Sequence, residues 1–296
     1  MTSLHTSQLR RSIYTTAYLL VLPTIVLLII FRIIPMFQSA YLSLTNYSFV
    51  NPAKSKFIGL KNFVDMIHDK DTFKALWNTV YYSVVSLIPG VVIALLFALV
   101  ITEKWFKFAG FARVVFFIPV VLSVAIAGVL FSWLYHPTIG FFNYILYSLD
   151  MKPVKWLGDP KMAMNSVVLM VIWKNLGYNI TIWCAGILSI PEDYRDAGKI
   201  DGANAWQDFW RIRFPLLRDV LLFLTVLGFL GSFQSFDAIY VLTGGGPMLS
   251  TRVIVFYLWE NAFRFYKMGF ASAQAWFLFV ILIGLTYVQF RVYRER

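Results

Sequence analysis

The chain is dominated by long apolar runs separated by short polar segments. Six stretches of about twenty mostly apolar residues follow one another. A helix needs this length to cross a hydrocarbon layer roughly 30 Å thick. Their approximate limits are 14–35, 78–101, 112–135, 165–190, 215–242 and 271–290. The pattern therefore predicts an all-α integral membrane protein with six transmembrane helices.

Composition agrees with this prediction. The 296 residues are 59% hydrophobic and only 14% charged, whereas soluble domains are roughly half apolar and about a quarter charged. The net charge of +11 does not indicate nucleic-acid binding, because the basic residues flank the apolar stretches, as membrane topology requires. The single cysteine, Cys184, excludes an internal disulfide. The first apolar stretch is expected to remain as a membrane anchor rather than be removed as a signal peptide.

Basic residues indicate how the chain is oriented. Lys and Arg are denser in the segments on the side of the N-terminus, which are 1–13, 102–111, 191–214 and the tail after residue 290. Because cytoplasmic loops are enriched in these residues, both termini are expected in the cytoplasm. Residues 1–13 then form a cytoplasmic tail, and residues 14–296 form a single transmembrane domain, with segment 191–214 in the cytoplasm.

Segment 191–214 is a charged, aromatic-rich insert between two apolar stretches. Its predicted elements are a helix over 192–200, a turn at Asp201-Gly202, a capping box of Asn204 with Gln207, and a second helix ending at Arg213 before Pro215 opens the fifth span. Helical spacing places five of its residues on one side, namely Ala197, Ile200, Ala203, Trp206 and Trp210. Spacing alone leaves two interpretations open: a docking face for another protein, or an interfacial helix resting on lipid headgroups.

The same segment resembles a known signature. Its string Asp-Ala-Gly-x3-Gly-x9-Ile-x-Phe-Pro is similar to Glu-Ala-Ala-x3-Gly-x9-Ile-x-Leu-Pro of ABC-importer permeases, with both spacings matched and three mild substitutions. In that family this segment is the coupling helix, which sits in a cleft of the cytoplasmic ATPase subunit. The resemblance implies coupling for the signature residues Asp196, Ala197, Gly198 and Gly202, and with them we expect Ala203, Trp206 and Trp210 of the face described above to contact the ATPase subunit.

Two further segments narrow the resemblance to carbohydrate-importer permeases. "FIGLKNF" (Phe57 to Phe63) resembles a motif of their first outer loop, and "FDAIYVLTGGGP" (Phe236 to Pro247) resembles the segment after their fifth span. The resemblance implies the six-span MetI-like type I importer permease fold in the cytoplasmic membrane of a bacterium or archaeon. It also implies four kinds of partner: a homologous second permease, two ATPase subunits, an extracytoplasmic solute-binding protein and the carbohydrate substrate.

Catalytic and nucleotide-binding motifs are missing from the sequence. It contains no Gly-x4-Gly-Lys-Ser/Thr phosphate loop, so ATP and Mg²⁺ are expected on the partner ATPase subunits and no cofactor is expected on this chain. His5, His68 and His136 show no ligand-like pairing. We therefore expect a translocation subunit and not an enzyme. An ion-coupled secondary carrier is the alternative, although such carriers need ion-coordinating groups in the spans and usually internal repeats.

Ionisable and polar residues within the spans predict the substrate pathway. Arg32, Lys174 and Asp237 are the clear ionisable cases, and buried charges in spans are functional candidates. Sugar sites combine an aromatic face with amide and hydroxyl groups. The fourth and fifth spans supply such a set in Trp173, Lys174, Asn175, Tyr178, Asn179, Gly228, Ser232, Gln234 and Ser235.

Glycines in this set have a second interpretation, because small residues also let helices pack closely. That interpretation applies to Gly228 and to the neighbouring Gly231. By resemblance, Tyr178, Gly228, Ser232 and Ser235 fall on sugar-contacting positions of a related permease. Serines replace asparagines found there, so an identical substrate is not expected, and mono-, di- and oligosaccharides, polyols and glycerol phosphate all remain open.

Overall fold

The computed structural model describes residues 2–294, with the side chains of residue 14 and of residues 16–293. In this part of the chain the backbone is almost entirely helical, and its one extended pairing is an isolated bridge between Thr45 and Phe57. The α-helices are α1 (Thr2–Leu28), α2 (Ile34–Ser43), α3 (Lys61–His68), α4 (Lys70–Ile101), α5 (Ala109–Val121), α6 (Val124–Leu134), α7 (Phe141–Ser148), α8 (Ala163–Ser189), α9 (Glu192–Ile200), α10 (Ala205–Gln207), α11 (Phe214–Leu216), α12 (Arg218–Phe233), α13 (Asp237–Leu242), α14 (Ile254–Trp259) and α15 (Met268–Arg294). The predicted all-α class is confirmed.

Helix length and apolarity support the predicted number of spans. Four helical segments can cross a membrane unbroken, and these are Thr16–Ser43, Lys70–Ile101, Ala163–Ser189 and Met268–Tyr293. Two bent pairs raise the number to six when each is counted as one span, α5 with α6 at 99° and Ala205–Leu216 with α12 at 63°.

The first two spans are longer than the apolar pattern predicts. The first helical run continues to Ser43 instead of ending near residue 35, through a π-helical turn at Ile29–Ile33 that contains Arg32. The second begins at Lys70 instead of residue 78. The additional turns contain polar residues, such as Gln38 and Ser39 in the first run and Asp71 and Thr72 in the second, which lower the hydropathy without ending the helix. The predicted tail 1–13 is helical from Thr2, and its side chains lie outside the described part of the chain.

The third and fifth spans are broken where the sequence predicts continuous helices. Leu122 and Ser123 adopt extended backbone after Pro119, and the Ser123 hydroxyl accepts the Ile126 N–H at 3.2 Å to begin α6. The fifth span ends at Phe233 and not at residue 242, because residues 234–236 leave the helix before α13. Non-helical backbone at membrane depth is tolerated where it lines a cavity or is buried in protein.

Contacts divide the chain into two compact units. One consists of the residues up to His68 with Glu260–Phe277, and the other of Asp69–Trp259 with the chain from Leu278 onward.

In the first unit, the "FIGLKNF" motif closes the loop after α2. The buried Asn62 amide donates to the backbone carbonyls of Ser43 and Thr45, both at 2.8 Å. Gly59 has a φ of +59°, a backbone conformation that glycine adopts without strain. These contacts give this motif a structural role in the loop.

The core of the second unit lies between α4 and α8. Trp183 of α8 is fully buried, and its indole N–H donates to the Val91 carbonyl of α4 at 3.1 Å. Gly177 lies against α5, where an added Cβ would come within 2.9 Å of the Phe117 Cα. The absence of a side chain at Gly177 therefore lets α5 and α8 approach at backbone distance.

Asp69 fixes the start of α4. Its carboxylate accepts the backbone N–H groups of Asp71 and Thr72, both at 3.2 Å, and the hydroxyls of Thr72 and Tyr257 at 2.7 and 2.8 Å. Burial acts to raise the pKa of Asp69, but these hydrogen bonds together outweigh it and lower the pKa below the usual value of 3.8. The carboxylate therefore contributes stability above the unfolded-state pKa, which is lost as pH falls through the folded-state pKa.

Replacing Asp69 with alanine is expected to destabilise the detergent-solubilised chain by about 1–2 kcal/mol at pH 7, the usual effect of losing an N-cap. The deficit should shrink as pH falls from about 5 to below 3, because the wild-type carboxylate then becomes protonated. Thermal unfolding of wild type and variant, at pH 7 and at a pH below about 3, measures the deficit. Asp69→Asn is the control, because asparagine also caps helices but does not titrate. A deficit that stays constant with pH contradicts the assigned role of the carboxylate.

Candidate functional site

The predicted hairpin between α8 and α12 is present with its predicted local structure. Its first arm, α9, covers Glu192–Ile200 as predicted. Gly202 has a φ of +75°, which turns the chain. The side-chain amide oxygen of Asn204, Oδ1, accepts the Gln207 backbone N–H at 2.9 Å, while Oε1 of the Gln207 side chain accepts the Asn204 backbone N–H at 3.0 Å. The capping box is therefore formed as the sequence predicts.

The second arm continues further than predicted. It runs from Ala205 to Leu216 and includes a π-helical turn at Asp208–Arg213. Pro215 lies in the last turn of this arm and not at the opening of the fifth span. The bend of 63° follows at Leu217, which is fully buried, and α12 starts at Arg218. The structure therefore places the boundary between hairpin and span after the signature's Pro position.

One face of the hairpin is apolar and open. Ile200 is 86% exposed, Trp206 71% and Trp210 44%, and the two indole rings lie edge to face with centroids 5.5 Å apart. Ala197 is also exposed and Ala203 is half-buried. Four of the five residues predicted to share this face are therefore exposed, and the two tryptophans among them lie side by side.

The remaining signature residues lie behind or beside this face. Gly198 is buried, and the side chain of Ile212 from the second arm packs directly on it. The exposed Asp196 carboxylate accepts a hydrogen bond from Lys199 at 2.7 Å, and this bond lowers the pKa of Asp196. Gly198 thus holds the two arms together, while Asp196 stays charged at the surface.

A cavity of about 470 Å³ lies among α4, α8 and α12. It brings together eight of the nine predicted pathway residues, Lys174, Asn175, Tyr178, Asn179, Gly228, Ser232, Gln234 and Ser235. Residues 234–236, where the fifth span breaks, form part of its wall. Irregular backbone inside the membrane therefore occurs where it lines a cavity.

Trp173 is the exception among the predicted pathway residues. Its ring packs against Phe131 with centroids 5.1 Å apart, within a core cluster that contains α6 and α8 residues, and it does not line the cavity. Trp173 is expected from the sequence beside Lys174 and Asn175, but it faces away from them and from this cavity, because successive helix positions point in directions about 100° apart.

The structure adds Tyr82 to the cavity, a residue that the sequence did not single out. Its phenol oxygen accepts a hydrogen bond from the Ser235 hydroxyl at 3.0 Å.

The two glycines of α12, Gly228 and Gly231, differ in the space around them. An added Cβ on Gly228 would lie within 3.3 Å of the Leu87 side chain, whereas Gly231 has open space. The helix-packing interpretation therefore applies to Gly228 and not to Gly231.

Two ionisable side chains of opposite charge also line the cavity, Lys174 and Asp237. The Lys174 ammonium lies 3.5 Å from the Val120 carbonyl at the end of α5. With the tyrosine rings, amides and hydroxyls, the lining offers hydrogen-bond donors and acceptors to a polar solute. Among the described residues, no group of three or more His, Cys, Asp or Glu side chains could hold a metal ion.

Comparison with known proteins places this geometry in a family. Residues 72–294 match the family described as "Binding-protein-dependent transport system inner membrane component". The probable ABC transporter permease protein YurN of Bacillus subtilis is 36% identical over 94% of this chain and 95% of that protein. The trehalose/maltose transport system permease protein MalF of Thermococcus litoralis is 32% identical over 98% of both chains.

Glycerol phosphate and alginate systems also contain similar proteins. The sn-glycerol-3-phosphate transport system permease protein UgpA of Agrobacterium fabrum is 34% identical over 94% of both chains. A solved chain of a bacterial ABC transporter involved in the import of the acidic polysaccharide alginate has a TM-score of 0.85 at 24% identity, covering 97% of this chain and 99% of that chain. A chain of a bacterial alginate ABC transporter, solved in complex with an alginate pentasaccharide-bound periplasmic protein, is similar to the same degree. Its TM-score is 0.85 at 23% identity, covering 98% of this chain and 96% of that chain. These structures show the importer permease fold, and this chain belongs to the family of binding-protein-dependent transport system inner membrane components.

Proposed function

We propose that this chain is the membrane-spanning permease subunit of an ATP-driven, binding-protein-dependent importer for a carbohydrate. It lies in the cytoplasmic membrane of a bacterium or archaeon with both termini in the cytoplasm. It contributes no catalytic group. ATP and Mg²⁺ bind to two separate ATPase subunits, and a homologous second permease and an extracytoplasmic solute-binding protein complete the transporter.

The observation that carries this proposal is the hairpin and its connections. A capped hairpin with exposed apolar residues joins α8 to α12, and both of these helices line the cavity. When the ATPase subunits bind ATP and close, they move the hairpin, and the movement reaches the cavity walls through the continuous chain. The spans then change from inward-facing to outward-facing, as alternating access requires.

The cavity supports a polyhydroxyl substrate. Asn175, Asn179 and Gln234 offer amide groups, Ser232 a hydroxyl, and Tyr178 a half-exposed ring that can cover the C–H side of a sugar. The named relatives act in transport of trehalose and maltose or of glycerol 3-phosphate, and what these solutes share is a set of adjacent hydroxyls. Lys174 and Asp237 carry opposite charges and are the ionisable residues of the lining apart from its tyrosines, so the lining has no net charge, which supports a neutral solute.

Filling the cavity is expected to block transport without blocking ATP hydrolysis. We expect Ser232→Phe to reduce uptake at least ~10-fold, because one buried aromatic ring removes space that the solute needs. The matched control is Ser148→Phe. Both serine hydroxyls donate to the carbonyl three residues earlier, at 3.1 and 2.8 Å, but Ser148 is exposed outside the cavity. Uptake of labelled maltose, trehalose or glycerol 3-phosphate by the assembled transporter measures the effect. Equal uptake by wild type and Ser232→Phe would exclude this cavity as the pathway.

Purification through a tag on this chain tests the proposed function as a whole. We expect a P-loop ATPase and a second permease to co-purify, and the reconstituted complex to hydrolyse ATP in proportion to uptake. Uptake by the chain alone in liposomes, driven by an ion gradient and indifferent to ATP, would instead establish a secondary carrier.

A further inference from the structure

Three helices form most of the cavity wall, but only two of them continue directly into the hairpin. The first arm of the hairpin follows α8 in the chain, and α12 follows the second arm. α4 supplies Tyr82, Ser86, Leu87 and Gly90 to the same wall and ends at Ile101, far from the hairpin in sequence. A movement of the hairpin therefore reaches α4 through non-covalent contacts, either indirectly through the packing of α4 against α8 or by a direct contact with the hairpin.

Glu103, two residues beyond the end of α4, makes that contact. Its Oε1 accepts hydrogen bonds from Arg195 Nη2 at 3.3 Å and from Arg213 Nη1 at 3.1 Å. Arg195 lies in α9, and Arg213 is the last residue of the π-helical turn in the second arm, so a single carboxylate joins both arms. Arg213 in turn forms an ion pair with Asp208 at 2.6 Å. We call these four residues the Glu103 network.

Burial makes this network stronger than an ordinary surface pair. The side chains are 11% exposed for Arg213, 16% for Asp208, 27% for Glu103 and 30% for Arg195. Partly buried pairs are screened less by salt, and removing one partner leaves an uncompensated charge. The network holds two positive and two negative groups, so its charges balance. The neighbouring pair of Lys104 with Glu192 is 82% and 69% exposed, and such pairs contribute little.

We propose that Glu103 is a positioning residue that links the hairpin to α4, so that all three cavity helices respond together when the ATPase subunits move the hairpin. This inference rests on the proposed function and adds to it a defined route of coupling. Without the link, α8 and α12 still follow the hairpin through the continuous chain, whereas α4 follows only indirectly, through its packing against α8.

The test compares nucleotide-dependent labelling on two cavity helices of the assembled complex. Single cysteines replace Ser86 on α4 or Asn175 on α8, in a background where the buried Cys184 is changed to alanine. Labelling rates with a small thiol-reactive methanethiosulfonate are measured with and without ATP and vanadate. With Glu103 present, both rates change. In Glu103→Gln, the change at Ser86→Cys is expected to fall at least ~5-fold, the lower end of ordinary coupling between sites, while the change at Asn175→Cys persists.

Matched variants keep the result specific. Lys104→Gln removes the adjacent exposed pair and should leave both labelling changes intact, and Glu103→Asp, which keeps the charge, should retain part of the change at Ser86→Cys. If Glu103→Gln preserves both changes, or abolishes both, the selective link is refuted. If the complex with Glu103 present shows no ATP-dependent change at either position, the proposed function itself fails, and the inference fails with it.

Discussion

Replacing both Trp206 and Trp210 with alanine is expected to release the ATPase subunits from the membrane complex. The two indoles are exposed on the open face of the hairpin and touch each other edge to face. Exposed tryptophans that enter a partner's cleft are typical hot spots, each worth about 2 kcal/mol or more on truncation, so the double variant should weaken ATPase binding well beyond ~30-fold.

Co-purification from detergent, followed by titration of the ATPase subunit onto the immobilised membrane complex, measures this loss. Trp77→Ala is the control, because Trp77 is similarly exposed at 69% but lies near the start of α4, away from the hairpin. The second permease should stay bound in both variants. If ATPase affinity is unchanged in the double variant, the face has another role, and a loss of membrane association would favour its interpretation as a lipid-resting helix.

Replacing Gly202 with valine is expected to uncouple ATP hydrolysis from transport while the complex remains assembled. Gly202 turns the hairpin at a φ of +75°, and a Cβ there meets no atom within 4 Å. Any effect therefore comes from backbone strain and from the partner surface, not from a clash within the chain. A β-branched residue at positive φ costs about 1–2 kcal/mol, and the turn should open and displace the second arm.

The ratio of solute imported to ATP hydrolysed measures the uncoupling. We expect this ratio to fall at least ~10-fold in Gly202→Val, with ATP hydrolysis retained. The reason is that the movement of the ATPase subunits no longer reaches both arms of the displaced hairpin. Gly202→Asn is the matched control, since asparagine tolerates the left-handed conformation, and its ratio should stay closer to that of wild type. A normal ratio in Gly202→Val would contradict the role assigned to this turn.

The features that the sequence predicts well are encoded locally. The limits of α9, the turn and the capping box of Asn204 with Gln207 all follow from residues within four positions of one another. The number of spans follows from total apolar length. The resemblance added the coupling interpretation, because spacing alone left protein docking and lipid contact open.

Breaks within apolar stretches could not be predicted in this way. Leu122 and Ser123 interrupt the third span within an almost continuous apolar run, whereas residues 234–236 interrupt the fifth beside the polar residues Gln234, Ser235 and Asp237, which the mean hydropathy of the whole stretch does not reveal. Periodicity also did not show that Trp173 packs against Phe131 instead of lining the cavity. In an apolar stretch most faces look alike, and the packing partners that distinguish them lie elsewhere in the chain.

Long-range contacts account for the other residues that the sequence did not identify. Tyr82 joins the cavity through Ser235, which is 153 positions away, and Glu103 meets Arg195 and Arg213 across 92 and 110 positions. From the sequence alone, a glutamate just after a span is indistinguishable from an ordinary charged loop residue. Only the fold shows that it lies between the two arms of the hairpin.

Site-specific photo-cross-linking from the tip of the hairpin tests the central claim most directly. Ile200 is the most suitable position, because its side chain is 86% exposed on the open face. With a photoreactive amino acid at this position in intact cells, the account predicts a single major adduct with a P-loop ATPase subunit on the cytoplasmic side, whose yield changes with ATP. Adducts with lipid alone, or with a protein outside the cytoplasmic membrane, would contradict it.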